Sequence, residues 1–165
     1  MEKKIIFRVD DRLIHGQVIE GWIKYYKINY VFIVNDRIYG DYLQNMIYSS
    51  ILPEYCSLKI VRKKDFLENF DGFKSLCKGK YTLVLFESVK DLYDVRDIID
   101  NDIYINIGCI ASREHKIEIT DTVFLNLDEL LMISKLRDNH NIYIKKLPWE
   151  TNIEIKYFYE FLKKH

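Results

Sequence analysis

The sequence predicts an α/β fold: a single three-layer αβα domain built on an open, mostly parallel sheet of about six to seven strands. Three observations predict it. Short apolar runs rich in Val, Ile, Tyr and Phe alternate with helical periods along the chain, as in sheets whose two faces are covered by crossover helices. The length of 165 residues suits one sizeable core. No repeat, low-complexity tract or long linker divides the chain, so residues 1–165 read as one domain.

The strand-like runs are Ile5–Val9, Tyr30–Val34, Leu58–Val61, Tyr81–Phe86, Ile103–Ile107, Val123–Leu125 and Ile142–Ile144. Helical stripes lie between them. Val18, Ile19, Trp22, Ile23 and Tyr26 form the first, with Trp22 read as core. Tyr39, Tyr42, Leu43, Met46 and Ile47 repeat the spacing. Val89, Leu92, Val95 and Ile99 follow, then Leu127, Leu130, Ile133 and Leu136, and finally Ile155, Phe158, Phe161 and Leu162. The Arg62–Leu76 region is poorly periodic. Ser88 with Asp91, Asn126 with Glu129 and Thr151 with Glu154 have the spacing of helix starts, where a short side chain satisfies an orphan amide and an acid meets the positive helix end.

Composition narrows the function. Lys plus Arg and Asp plus Glu both number 25. Zero net charge argues against nonspecific nucleic-acid binding, which needs a cationic surplus. No apolar stretch approaches the roughly 20 residues of a membrane span, and the amino terminus is no signal peptide. Cys56, Cys77 and Cys109 form no CxxC pair, so they read as free thiols in a reducing cytosol. With 13 Tyr, 9 Phe and 2 Trp, the chain is compatible with protein contacts, including a homo-oligomer. Trp149, beside Pro148, is a candidate for a partner surface.

One run concentrates the chemistry: Asp10-Asp11-Arg12-Leu13-Ile14-His15-Gly16-Gln17-Val18, at the turn from the first strand into the first helix. Ligands of such sheets bind beyond the carboxyl ends of the strands. Asn35, Asp36, Glu87, Ser88 and Gly108 would emerge on the same rim. A neutral imidazole is nucleophilic near neutral pH. An aspartate on its other nitrogen, Asp10 or Asp11, would fix the tautomer. Arg8 and Arg12 offer guanidinium forks for a phosphoryl group, or else pair with the two aspartates. Leu13 and Ile14 pin the loop. Gly16 and Gln17 open the helix, where free amides attract anions. There is no GxxxxGK[ST] and no GxGxxG. His115, His140 and His165 are scattered and read as structural or exposed. Asp94, Asp97, Asp100 and Asp102 read as a solvated helix face and its exit.

The run Phe7 to Val18 resembles the signature of the IIB components of the mannose/fructose/sorbose family of the bacterial phosphoenolpyruvate-dependent sugar phosphotransferase system (PTS). Trp22, Val31-Phe32-Ile33-Val34-Asn35-Asp36, Leu83-Val84-Leu85-Phe86 and Ile105-Asn106-Ile107-Gly108 extend the resemblance over essentially the whole chain. The resemblance implies that His15 accepts a phosphoryl group from a phosphohistidine on a IIA protein and donates it to a sugar bound by the membrane IIC/IID complex. It implies catalysis by His15, Arg12, Asp10 and Asp11, with Arg8, Gly16, Gln17, Asn35, Asp36 and Ser88 holding phosphate or loop. Arg12 would neutralise phosphoryl charge and the aspartates would shape the loop. It implies no cofactor, no metal, and a cytoplasmic protein held at the inner membrane face by its partners. No IIA domain is expected ahead of the motif. Three features depart from the family pattern: Cys109 where a second glycine often follows the Asn-x-Gly turn, Glu87 after the fourth strand, and the tail Leu147-Pro148-Trp149-Glu150.

Two other functions fit parts of the sequence. A regulatory relative could keep the loop without transferring phosphate, although intact Arg12, His15 and Gly16 disfavour this. A metal hydrolase could use His15 with Asp10, Asp11 and Asp36, but only one histidine lies near the cluster and no HxH or HExxH occurs.

Overall fold

In the computed structural model, residues 3–154 are described. The sheet they build is held from its middle outward. Its central strand, β1 (Ile5–Asp10), is buried along its whole length and pairs in parallel with β4 (Thr82–Phe86) on one side and β5 (Ile103–Cys109) on the other. Beyond β4 lie β2 (Tyr30–Val34) and the edge strand β3 (Ser57–Val61); beyond β5 lie β8 (Ile142–Ile144) and β9 (Ile153–Glu154). The first six strands in this set are parallel, and β9 runs antiparallel to β8.

Two apolar layers cover the sheet. Side chains alternate along a strand, so Phe7 and Val9 enter one layer while Ile6 enters the other with Trp22. The first layer packs under α4 (Lys63–Glu68), α5 (Phe70–Cys77), α6 (Val89–Asp94) and α7 (Leu127–Arg137). The second packs under a π-helical turn, Val18–Ile23, that runs into α1 (Lys24–Tyr26). Ser88 caps α6 by accepting from the Asp91 amide, and Asn126 and Glu129 form a reciprocal capping box on α7. Asp94 pairs with Lys63 and Lys90, while Asp100 and Asp102 share Lys74. That series is therefore cross-linked to neighbouring elements, apart from the exposed Asp97.

Several expectations are corrected. Val123–Leu125 is not in the main sheet. Phe124–Leu125 (β7) pairs antiparallel with Ile117–Glu118 (β6), a two-residue strand too short to leave a periodic signal. Thr151 and Glu154 do not start a helix there, because Ile153–Glu154 is a strand. The stripe Ile155, Phe158, Phe161 and Leu162, and His165, lie outside the described residues. The stripe containing Tyr39, Tyr42, Leu43, Met46 and Ile47 spans α2 (Asp36–Tyr39) and α3 (Tyr42–Ile51) as expected, but it faces away from the sheet. Tyr48 is the buried residue of α3. Among the described residues no helix is long and apolar enough to cross a membrane.

Candidate functional site

The site begins with a charge buried in a strand. Ile6, Arg8 and Asp10 share one face of β1, and Arg8 is fully buried. A guanidinium there needs hydrogen-bond partners; both Nη nitrogens of Arg8 have them, while its buried Nε has none among the described residues. Nη2 donates to Asp10 Oδ2 at 2.9 Å; Nη1 donates to the side-chain oxygen of Asn106 and to the Lys145 carbonyl at 3.1 Å. Asn106 sits opposite Arg8 on β5 and donates in turn to the Tyr143 and Lys145 carbonyls. The Trp22 ring lies 4.8 Å from the guanidinium carbon, and its indole N–H donates to Lys146 O at 2.9 Å.

Gly108 makes this cage possible. A Cβ at that position would lie 1.9 Å from Arg8 Cζ, so the guanidinium occupies the space a side chain would need. Gly108→Ala is expected to force Arg8 out of its contacts and to lower unfolding stability by about 3 kcal/mol or more, combining overpacking with a disrupted buried ion pair. Urea unfolding measures this; a loss under 1 kcal/mol would show that Arg8 yields freely.

Asp10 passes the order of the cage to the rim. Its Oδ2 also meets His15 Nε2 at 3.0 Å, and its Oδ1 accepts from the Arg12 amide at 3.2 Å. Burial disfavours the charge on Asp10, but the His15 hydrogen bond and the Arg8 guanidinium outweigh it and hold the carboxyl below its usual range. Burial likewise lowers the Arg8 value, against the pull of Asp10.

The loop geometry then exposes the imidazole. The pairing of β1 with β5 shifts register between Val9 and Asp10, an irregularity of the kind that re-aims a strand end. The Asp11 amide donates to Cys109 O at 3.0 Å, and Asp11 Oδ2 accepts from the Ala111 amide at 2.7 Å. Leu13 donates its amide to Asp10 O and adopts φ 55°, a left-handed conformation that costs a branched residue energy. Leu13 and Ile14 are buried and hold it there. His15 emerges with its side chain 15% exposed. Its Nε2 is engaged by Asp10, so Nδ1 is the ring nitrogen that does not face that carboxylate.

Arg12 is the exposed cation of the loop, with Nη2 donating to Gln17 Oε1 at 3.4 Å and lying 3.7 Å from Cys109 Sγ. Neither is a strong hold, so the guanidinium can be redirected. Gly16 is exposed and a Cβ there would meet nothing; no internal contact demands glycine at this position. Burial and Asp10 raise the Cys109 thiol, against the pull of Arg12.

The structure separates the expected site residues into groups. Asp10, Arg12, His15, Gly16 and Gln17 come together on the rim, with Asp11 tying the loop to Ala111. Arg8 takes the second of its two readings, pairing with an aspartate, and is corrected as a fork open to phosphate: it lies beneath the rim as the counter-charge of Asp10, because its face of β1 points into the layer containing Trp22. Asn35 caps α2 and donates to Glu87 Oε2 at 2.7 Å, and Arg37 holds the other Glu87 oxygen at 2.8 Å. Glu87 is thus neutralised by its neighbours. Asp36 accepts from the Lys63 amide at 2.7 Å and secures the entry to α4. Ser88 caps α6 and shares with Asp11 a cleft of about 320 Å³ that also involves Ile110, Arg113, Lys116 and Glu129. The sequence puts Gly108 on the rim and both Asn106 and Gly108 in the Asn-x-Gly turn, but gives neither a part in holding Arg8. The available signal was a charged residue inside a fully apolar strand, which requires a polar partner on the next strand.

Among the described residues, Asp10, Asp11 and Cys109 are close enough to share an ion. Asp10 is already committed to Arg8 and His15, and one Asp11 oxygen to Ala111. The chain is similar to a fructose-specific EIIB component of Bacillus subtilis (strain 168), 23% identical over 149 residues and 90% of each chain. It is similar to a mannose-specific EIIAB component of Escherichia coli (strain K12), 24% identical over 132 residues, which are 78% of this chain and 39% of that protein. The crystal structure of manxB from Thermoanaerobacter tengcongensis superposes with a TM-score of 0.81 at 25% identity, over 94% of both chains. The model of the PTS system sorbose subfamily IIB component matches residues 4–165, and over that span the chain belongs to this family of phosphotransferase components.

Proposed function

We propose that this protein is a phosphocarrier of sugar uptake that holds the phosphoryl group on Nδ1 of His15. It takes the group from a phosphohistidine on a IIA protein and gives it to a sugar presented by membrane IIC/IID partners, working in the cytoplasm at the inner membrane face. The observation that carries this reading is the Asp10 carboxylate on Nε2. With the Nε2 proton donated to Asp10, the lone pair lies on Nδ1 at the loop surface. That lone pair attacks phosphorus, the donor's N–P bond breaks, and its electrons return to the donor imidazole. Asp10 stabilises the positive charge that develops on the His15 ring, as the orienting carboxylate does in a catalytic triad. Arg12 turns from Gln17 and Cys109 onto the phosphoryl oxygens, where a charge-assisted pair lowers the barrier. Catalysis rests on positioning and electrostatics.

The test is to supply labelled phosphoenolpyruvate, the general phosphotransferase proteins and the IIA donor, then to map the label by mass spectrometry and phosphorus NMR. Acid-labile phosphate on Nδ1 of His15 is expected. Label on another residue would overturn the carrier assignment; label on Nε2 would overturn the role of Asp10. In the same assay Arg12→Ala is expected to slow transfer roughly 10- to 100-fold, the worth of one charged hydrogen bond, with the melting curve retained. An unchanged rate would remove Arg12 from the site.

A further inference from the structure

We propose that the outward face of α3 is the seat of a second copy of this chain, giving a two-fold symmetric dimer. The helix is unusual in this molecule. Its ten residues contain no Lys, Arg, Asp or Glu, although 30% of the chain is charged. Of the ten, Tyr48 alone is buried. An isolated helix of this length is marginal in water, and helices in proteins are normally stabilised by packing an apolar face. Here the larger apolar face points outward.

That face is continuous. At 100° per residue, Tyr42, Met46, Leu43, Ile47 and Ile51 fall within one half of the helix, opposite Tyr48. Ser50 lies in the middle of this half, and its hydroxyl donates to Ile47 O at 2.8 Å, so it brings no unpaired polar group to the stripe. Tyr39 of α2 extends the face to its margin, where the Arg62 guanidinium lies 5.2 Å from the ring centre. These six apolar side chains are between 43% and 79% exposed. With about 200 Å² for a large side chain, they present roughly 700 Å² of apolar surface. A monomer rarely exposes a contiguous apolar patch of more than a few hundred Å². The value is close to the ~800 Å² per partner of a stable interface.

The chemistry of the face selects the occupant. A transient partner is matched by charged, wet surfaces, whereas an apolar core without charge, such as the α3 stripe, marks a lasting interface. With no charge on the helix, two copies of α3 meet without like-charge repulsion, and the small Ser50 lets the stripes approach. The zero net charge of the chain adds no repulsion. A surface that is its own complement closes by a two-fold axis. The neighbouring edge strand β3 does not offer the same route, because Lys59 is exposed on it and a lysine there discourages edge pairing. The dimer leaves the phosphoryl rim open: β3, beside α3, is three places from β1 in the sheet, about 14 Å at the usual strand spacing.

The inference does not depend on the phosphocarrier reading. Sedimentation velocity of the full chain between 1 and 100 μM, concentrations set on the order of typical dimer affinities, is the test. The expected species is twice the 20.0 kDa chain mass. Leu43→Glu and Ile47→Glu are each expected to give monomer at concentrations where the natural chain is dimeric, with far-ultraviolet dichroism retained. A mixture of Leu43→Glu and Leu43→Lys is expected to regain the dimer mass, which a folding defect would not do. Monomer throughout for the natural chain, including monomer that joins only when IIC/IID is added, would overturn the proposal. So would a dimer indifferent to all three substitutions.

Discussion

His15→Ala is expected to fold and to accept no phosphoryl group, a fall of at least roughly 10⁴-fold, since the substitution removes the proposed nucleophile. No other described histidine can replace it. His115 is 86% exposed on the segment after β5, and His140 lies with Lys3 and Ile103 at the opposite end of the strands. The fold should survive because the imidazole is partly exposed and meets the rest of the protein through its hydrogen bond with Asp10. Asp10 keeps Arg8 and the Arg12 amide after the change, so the stability lost is about 1–3 kcal/mol, one charged hydrogen bond. Label transfer and thermal melting measure the two parts separately. Acceptance at the natural level would end the assignment of His15.

Asp10→Asn is expected to damage both the fold and the transfer. The carboxylate accepts from three donors on its two oxygens: Arg8 and His15 at Oδ2, and the Arg12 amide at Oδ1. An amide has one oxygen and one NH₂. Placed at Oδ2, the NH₂ opposes the Arg8 donor and requires His15 to carry its proton on Nδ1, which blocks the proposed nucleophile. Placed at Oδ1, it opposes the Arg12 amide. Both orientations leave the Arg8 charge without its counter-charge, a loss of about 3–5 kcal/mol. Transfer is expected to fall roughly 10⁴-fold, the loss that follows Asp→Asn at the orienting carboxylate of a catalytic triad.

The pH dependence follows from the same residue. The folded Asp10 carboxyl lies below its usual range, so the unfolded state binds its proton first as pH falls. The resulting stabilisation is present above about pH 4 and is lost as pH falls through the folded value. Asp10→Asn should remove that part of the acid-induced loss. Unfolding curves of both proteins between about pH 2 and pH 7 would check it, and parallel curves would contradict it.

Much of the architecture is legible in the sequence because its signals are local. The run Ile5–Val9 reads as a buried strand since nearly every residue is apolar. The caps at Ser88 and Asn126 read correctly since they need only a three-residue spacing. What fails is information about which side an element presents. Alternation along β1 places Arg8 with Ile6 and Asp10, yet nothing local says that this face is closed by Trp22 and Asn106 rather than open to a ligand. The period of Tyr42, Leu43, Met46 and Ile47 defines a helical face without saying whether the sheet or another surface covers it. Asn35, Asp36 and Ser88 were placed on the rim correctly as strand ends, but their partners, Glu87, Lys63 and Asp91, show that the rim is also where the fold anchors its helices. Asn106 and Gly108 belong to the site through Arg8, from which about a hundred positions of chain divide them.

Because one ring nitrogen is tied down, the imidazole has a single door. Whoever delivers the cargo and whoever collects it must stand in the same doorway, so they cannot be there together. If His15 carries the phosphoryl group as proposed, the protein works as a turnstile, with ping-pong kinetics in which an excess of either visitor slows the other.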